Sequence, residues 1–350
     1  MTTAAELVDL ARRDVDRGRI PACQLAVARD GEIVLFETLG AATDTTRFCA
    51  FSATKPIVAS VVWLLIGDGR LDVSLPVAHY IPEFATNGKD VVTVEQVMLH
   101  TAGFPSAPIG DTEGRDARLA RFGQWRLEWE PGSRFVYHPT QAHWVLAELI
   151  QRLDGADFRD VVEVRVCRPL GLPRLLGIPE GDQDGIAELI PVGPSDPDRM
   201  GLRHNEPAVR AAGIPGGGAI LTAADLALFY QALLHNPGGL WDAAVLADAT
   251  SVIRCTLTDP LMGVPANRSL GLVIAGDDGQ HVMRYGGFGQ ACSPGTFGHA
   301  GAFMQIGWAD PATGLSFAYL SNALEPDQMK AGARGIRLAG VAAGLTTSGR

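Results

Sequence analysis

The sequence predicts an α+β fold: an antiparallel sheet built from both ends of the chain, flanked by helices and interrupted by a mostly helical insertion. Three observations predict it. β-prone segments separated by Gly, Asp and Pro turns cluster near the two termini, while helical spacing of apolar residues dominates the middle. The chain has 350 residues, 47% of them hydrophobic, enough for the core of one large domain or two closely joined ones. The expected division is a sheet domain from residues 1–67 and 261–350, with a helical insertion at 68–260.

Each element follows from local pattern. Ala4 to Val15 carries apolar residues at helical spacing, and Gln24 to Ala28 and Ile33 to Glu37 read as two strands around the turn Arg29-Asp30-Gly31. Ile57 to Ile66 is nearly continuous apolar sequence closed by Gly67-Asp68-Gly69, which predicts a buried helix. Proline is tolerated only in the first turn of a helix, so Pro56 puts the helix start at Ser52 or Ala53. Val94 to Leu99, Thr140 to Leu153, Phe158 to Cys167 and Ala223 to Leu234 are further helices, joined by long connections such as Gly181 to Arg199. Leu270 to Ile274, His281 to Tyr285, Phe303 to Trp308 and Leu315 to Leu320 are expected as strands, and Pro326 to Ala343 as a final helix.

Composition limits the partner classes. A formal net charge of −10 opposes nonspecific attraction to nucleic acid or anionic membranes, which leaves small molecules as the expected partners. No run approaches the roughly 20 apolar residues of a membrane span, and the charged amino terminus lacks a secretory apolar core, so a cytoplasmic location is expected. Cys23, Cys49, Cys167, Cys255 and Cys292 are odd in number and hold no C-x-x-C pair. Buried apolar roles are expected for them, with Cys49 near enough to Ser52 to line a site. Neither a metal nor an organic cofactor is expected, and the oligomeric state is open.

Ser52-Ala53-Thr54-Lys55 is the most informative stretch. The chain holds only three lysines, Lys55, Lys89 and Lys330, and a lysine at the head of an apolar helix can lose its proton by desolvation and act as a base. Residues i and i+3 share a helix face, so Lys55 reaches toward Ser52, whose oxygen sits at the positive end of the helix dipole. Ser-x-x-Lys alone is a short motif that occurs about once by chance in such a chain, and Ser52 as a simple helix cap competes with the nucleophile reading. Tyr137 follows a turn at Pro131-Gly132 and precedes a helix, and a phenol beside a protonated lysine can have its pKa lowered and exchange protons with serine. Near the carboxyl end, Phe297-Gly298-His299-Ala300-Gly301-Ala302 surrounds a strand start with small residues. The Ala302 amide can pair with that of Ser52 as an oxyanion hole, and His299 and Gly301 lie beside it.

Together the three segments resemble the serine β-lactamase and penicillin-binding-protein superfamily, in the branch of class C β-lactamases, D-aminopeptidases and family VIII esterases. The motifs that carry the resemblance are Ser52-Ala53-Thr54-Lys55, Tyr137-His138-Pro139 at the Tyr-x-Asn position, and His299-Ala300-Gly301 at the Lys-Thr-Gly or His-x-Gly position. Leu99-His100-Thr101-Ala102-Gly103, Pro215-Gly216-Gly217-Gly218 and Leu221-Thr222-Ala223-Ala224-Asp225-Leu226 extend it over nearly the whole chain. The resemblance implies a β-lactamase/transpeptidase-like fold and an acyl-serine mechanism. Ser52 would attack, Lys55 and Tyr137 would share proton transfer, and His299, Gly301, Ala302 and His138 would line the substrate site.

Two departures narrow the substrate. Pro139 replaces an asparagine whose side chain holds a substrate amide and helps orient the lysine, and proline is expected to supply neither hydrogen bond. His299 replaces a lysine, which weakens attraction for a substrate carboxylate. Esters need less activation than amides, so a small-ester hydrolase is the expected function. A β-lactamase, a D-amino-acid peptidase or an acyltransferase of the same fold is the alternative, as is a non-catalytic binding protein. His100 is expected to hold its loop by hydrogen bonds, and His138 with His143 makes a poor metal site.

Overall fold

In the computed structural model, which describes residues 2–193 and 201–345, helix α1 (Ala4–Asp16) begins where the Thr3 side chain accepts from the Glu6 amide. Strands β1 (Ala22–Arg29) and β2 (Glu32–Gly40) follow as an antiparallel hairpin whose turn holds Asp30 and Gly31 at positive φ. A short strand β3 (Phe48–Cys49) leads into a 3-10 turn over Phe51–Thr54 and then into α2 (Lys55–Gly67), with Pro56 in its first turn. The predicted helix start at Ser52 or Ala53 is therefore a tighter turn, and the α-helix itself begins at Lys55. Helix α2 is apolar all round and buried from Lys55 to Leu65, as expected of a central core helix.

The middle of the chain supplies α3 (Val77–Tyr80), α4 (Val94–Met98), α5 (Arg115–Gln124), α6 (Gln141–Asp154), α7 (Phe158–Val162), strand β4 (Ile190–Pro191), α8 (Pro207–Ala212), strand β5 (Ile220–Leu221), α9 (Ala223–His235) and α10 (Ala243–Ser251). Reciprocal caps, Thr93 with Gln96 and Thr222 with Asp225, set the starts of α4 and α9. The helix predicted over Phe158–Cys167 changes to a π-helical turn at Glu163–Cys167. The connection predicted at Gly181–Arg199 lies partly outside the described residues.

Strands β6 (Val273–Ile274), β7 (Phe297–Gly301), β8 (Gln305–Asp310) and β9 (Leu315–Ser321) return to the sheet, followed by β10 (Ala323–Leu324) and α11 (Gln328–Ala343). The six-stranded order is β2-β1-β9-β8-β7-β6, every pair antiparallel, so β1 from one end of the chain pairs with β9 from the other. Alternation along β1 separates two cores: Cys23, Leu25 and Val27 pack with α1 and α11, while Ala22, Ala26 and Ala28 face the core shared with α2 and α9. Helix α9 lies in the span expected for the insertion, yet it packs on β1, β8 and β9, with Gln231 Nε2 donating to Ala28 O at 3.0 Å.

Three predicted strands differ, the first being Leu270–Ile274, of which only Val273–Ile274 is strand. His281–Tyr285 starts as a 3-10 turn, because Arg284 is buried with its guanidinium donating to Pro265 O and Ala275 O, which ties this segment to loops instead of to a strand ladder. Phe303 and Met304 belong to the hairpin loop between β7 and β8. Gly301 pairs with Gln305, and the three residues between them turn only because Phe303 and Met304 take φ of 56° and 63°.

Candidate active site

Ser52 is half-exposed in a segment that is otherwise buried, at the turn that feeds α2. Phe51 before it holds a left-handed φ of 44°, a strained conformation for a phenylalanine, and its ring packs against His204 and Phe303. Lys55 is fully buried, and its Nζ donates to Pro139 O and Gly216 O, each at 2.7 Å, and lies 3.1 Å from Ser52 Oγ. Burial holds the Lys55 amine well below its ordinary value, and the Arg268 guanidinium adds to the effect. A neutral amine has two N–H groups and one lone pair. In the structure Nζ donates to Ser52 Oγ as well; once neutral, with its two N–H groups on the carbonyls, the amine would turn its lone pair toward the serine hydroxyl.

The glycines nearby are dictated by this packing. A Cβ on Gly216 would lie 2.9 Å from Pro139 O and 3.3 Å from Lys55 Nζ, and one on Gly301 would lie 2.3 Å from Ala50 O. Gly301 thus lets the end of β7 press against the Ala50-Phe51 backbone, which brings the Ala302 segment beside the Ser52 turn.

Residues 7–341 match the family model described as Beta-lactamase. The chain belongs to the beta-lactamase family. It is 30% identical over 316 residues to "Esterase/beta-lactamase LipL" of Mycobacterium tuberculosis, an alignment covering 78% of this chain and 68% of that protein. Over 270 residues it is 30% identical to "Esterase EstB" of Burkholderia gladioli, covering 64% of this chain and 67% of the relative. A solved family VIII carboxylesterase superposes with a TM-score of 0.81 at 26% identity, covering 97% of both chains. The protein is a serine hydrolase with the β-lactamase/transpeptidase-like fold.

Tyr137, the third residue of the expected catalytic set, stands next to the lysine. The Tyr137 ring centroid is 5.0 Å from Lys55 Nζ, and its hydroxyl is buried near Ser52, short of full hydrogen-bond geometry. Sequence reasoning expects a protonated lysine to lower this phenol's pKa; instead, burial and then the Tyr285 hydroxyl push it up, over the opposing pull of Arg268 and Ser52. Desolvation wins because both the phenol and the lysine sit away from water.

Three histidines around the site, His100, His138 and His299, engage protein partners through their rings, whereas both ring nitrogens of His143 are buried without a partner at full hydrogen-bond geometry. His299 is fully buried, with Nδ1 2.7 Å from Ala300 O and Nε2 2.9 Å from the Arg268 guanidinium, so both ring nitrogens are engaged within the protein. His138 accepts from the Phe104 amide at Nε2, 3.0 Å, with Nδ1 2.6 Å from Val136 O, and burial lowers its pKa to about 4. His100, as expected, holds its loop: its O accepts from Val136 N at 3.2 Å and its Nδ1 from His138 N at 3.2 Å, gripping both neighbours of Tyr137. His143 is buried beside Lys55 on α6. The Cys49 thiol is buried, 3.7 Å from His204 Nδ1, and burial pushes its pKa up to about 12, which keeps it inert at neutral pH.

Gly216 and Arg268 have no role assigned from sequence, and Pro139, expected to give the lysine no hydrogen bond, does meet it. Gly216 lies in a segment noted only for its family likeness, Pro139 acts through its backbone carbonyl, and Arg268 carries no motif signal at all. A recess of about 440 Å3 opens elsewhere, between α9, α10 and the far end of β7, lined in part by Leu233, Ile253, Ile274 and Phe297. Its hydroxyls are already used, Thr250 donating to Leu246 O and Ser251 to Ala247 O, so no nucleophile and base meet there. Among the described residues no group of three or more His, Cys, Asp or Glu is arranged to hold a metal, and no helix is long and apolar enough to cross a membrane.

Proposed function

We propose that this serine hydrolase cleaves a small ester through an acyl-Ser52 intermediate. One observation carries the reading: the fully buried Lys55 Nζ, held between Pro139 O and Gly216 O at 2.7 Å each, lies 3.1 Å from Ser52 Oγ. In this mechanism Lys55 takes the Ser52 proton as Oγ attacks the ester carbonyl, and the amides of Ser52 and Ala302 receive the developing oxyanion. The proton passes through the Lys55–Tyr137 pair to the departing alkoxide as the C–O bond breaks. Water then gives a proton to the same pair as its oxygen attacks the acyl carbonyl, and that proton passes to Ser52 Oγ as the Oγ–acyl bond breaks and the carboxylic acid leaves.

Ester preference is supported by Pro139, which has no side-chain amide to hold a substrate amide, and by relatives named esterases. His299 and Gly301 support the edge on which the substrate would lie, and His138 acts one layer behind Tyr137. The test is hydrolysis of short-chain nitrophenyl esters by the wild-type protein and Ser52→Ala, with intact mass recorded after rapid quenching. An acyl adduct on the wild type alone, with turnover lost in the variant, is the expected outcome; equal turnover removes Ser52 from the mechanism. Because one relative is named both esterase and beta-lactamase, β-lactam turnover is the second reading, and nitrocefin hydrolysis exceeding ester hydrolysis would favour it.

A further inference from the structure

Arg268 is a fully buried guanidinium for which no ion pair exists among the described residues, and its Nε has no hydrogen-bond partner. Desolvating such a group costs several kcal/mol, so its position needs a reason. Its backbone is clamped to Cys255 by two hydrogen bonds, N to Cys255 O at 3.0 Å and O from Cys255 N at 3.1 Å. From there the side chain reaches the active site, with Nη1 2.9 Å from His299 Nε2 and Cζ 5.3 Å from the Tyr137 centroid and 5.5 Å from that of Phe135. Two aromatic faces return only about 0.5–2 kcal/mol each.

We propose that Arg268 is a positioning residue of the reaction: its guanidinium fixes His299 in the Nδ1–H form and supplies a permanent cation beside Tyr137 that disfavours a second positive charge on Lys55. The inference rests on the proposed roles of Ser52 and Lys55. A permanent donor at Nε2 leaves His299 one arrangement, Nε2 accepting and Nδ1–H donating to Ala300 O, which pins the imidazole to the end of β7. The phenol of Tyr137 then lies within 5.3 Å of two basic groups, measured to its ring centroid, Lys55 Nζ and Arg268 Cζ. Only one of them can give up its proton.

The other groups around Lys55 do not substitute for this charge. Ser52, Tyr137, His143, His299 and the carbonyls of Pro139 and Gly216 face it from α2, α6, β7 and their flanking loops, His100 lies behind Tyr137, and none is a carboxylate. Around Arg268 stand Tyr137, His299, Phe135, Tyr285 and Cys255, with Asp259 acting from beyond ion-pair distance. Both burial and Arg268 act on Lys55 in the same direction, and His299 is held neutral by burial and then by Arg268.

The sign of the effect is fixed. The base works in its neutral form, so removing the neighbouring cation makes Lys55 hold its proton to higher pH and moves the acidic limb of activity upward. The experiment is the pH dependence of Ser52 labelling by a fluorophosphonate, in the wild type, Arg268→Gln and Arg268→Ala, with Ser52→Ala as control. Arg268→Gln, whose side-chain amide still offers His299 Nε2 a donor but no charge, should approach the wild-type labelling rate at the alkaline end and fall behind as pH drops, by about tenfold for each unit the limb moves. Methylguanidinium added to Arg268→Ala should move the limb back. A uniform loss at every pH, an unmoved limb, or no response to methylguanidinium overturns the proposal, as does a loss confined to KM for esters bearing a carboxylate, which would make Arg268 a substrate ligand. If Ser52→Ala labels as fast as the wild type, the failure lies instead with Ser52 as nucleophile.

Discussion

Replacing Gly216 by alanine isolates the lysine's hydrogen-bond frame from everything else in the site. Gly216 has no left-handed φ, so alanine is allowed by the backbone and the perturbation is steric. The new Cβ meets Pro139 O at 2.9 Å, whereas a comfortable carbon–oxygen contact is about 3.3 Å or more, so a shift of roughly 0.5 Å is required. Lys55 Nζ, 3.3 Å from the same Cβ, must also give by a few tenths of an ångström. Pro139 O and Gly216 O are the two carbonyls that aim the amine, so both shifts turn its lone pair away from Ser52. A misplacement of 1 Å costs about 10²-fold, so kcat/KM should fall on the order of 10- to 100-fold. That is roughly 1.4–2.7 kcal/mol of transition-state stabilisation, beside an overpacking cost to stability of about 1–3 kcal/mol. Gly217→Ala is the matched control, because its Cβ meets nothing closer than 3.8 Å. Ester kinetics and thermal melts of both variants decide the matter: wild-type kcat/KM in Gly216→Ala, or equal losses in the two, refutes the claim that these carbonyls aim the base.

The remaining expectations follow from the same frame. Ester kcat/KM should rise with pH through a single limb that lies well below the ordinary lysine value: Lys55 must be neutral, and burial lowers its pKa, so activity appears as pH rises through that lowered pKa. No histidine limb should intrude, since His138 sits near 4 and His100, His143 and His299 are held well below 6.5; a second limb near 6.5 in a pH-rate profile would contradict this. His138→Ala strands the Phe104 amide and the Val136 carbonyl, a cost of about 2–4 kcal/mol that denaturant titration should register, with KM for a small ester unchanged. A raised KM at undiminished stability would show instead that His138 touches substrate.

How far the sequence discloses this site depends on how local each contact is. Ser52 and Lys55 are three residues apart, so their meeting needs nothing but one helical turn. Tyr137 is recognisable by motif order, yet its raised pKa depends on burial that no local pattern encodes. Gly216 stands 161 residues from Lys55, and a glycine run says only that the chain turns there, not which carbonyl meets an amine. Arg268 lies 31 residues before His299 in an irregular segment with neither period nor motif, and one arginine among many gives no reason for choosing it. Strand periodicity gives the sheet at both chain ends, but it fails at Phe303 and Met304, where the hairpin register forces two large apolar residues into a left-handed turn against their propensity.

Pro139 separates orientation of the base from recognition of the substrate. Proline offers no side-chain hydrogen bond, yet its carbonyl accepts from Lys55 at 2.7 Å, so the lysine keeps a partner at this position without an asparagine side chain. The loss is then confined to the contact that an asparagine would make with a substrate amide. An ester, with its better leaving group, tolerates that loss more readily than an amide. Pro139→Asn should therefore preserve the Lys55 frame, since the carbonyl at 139 persists, and supply an amide at an exposed edge of the site. The expected outcome is a gain in nitrocefin or amide turnover relative to nitrophenyl ester turnover of up to about tenfold, the scale of one added neutral hydrogen bond. A proportional change in both substrates would mean that residue 139 acts on the base and not on the substrate, and proline's presence would then say nothing about ester preference.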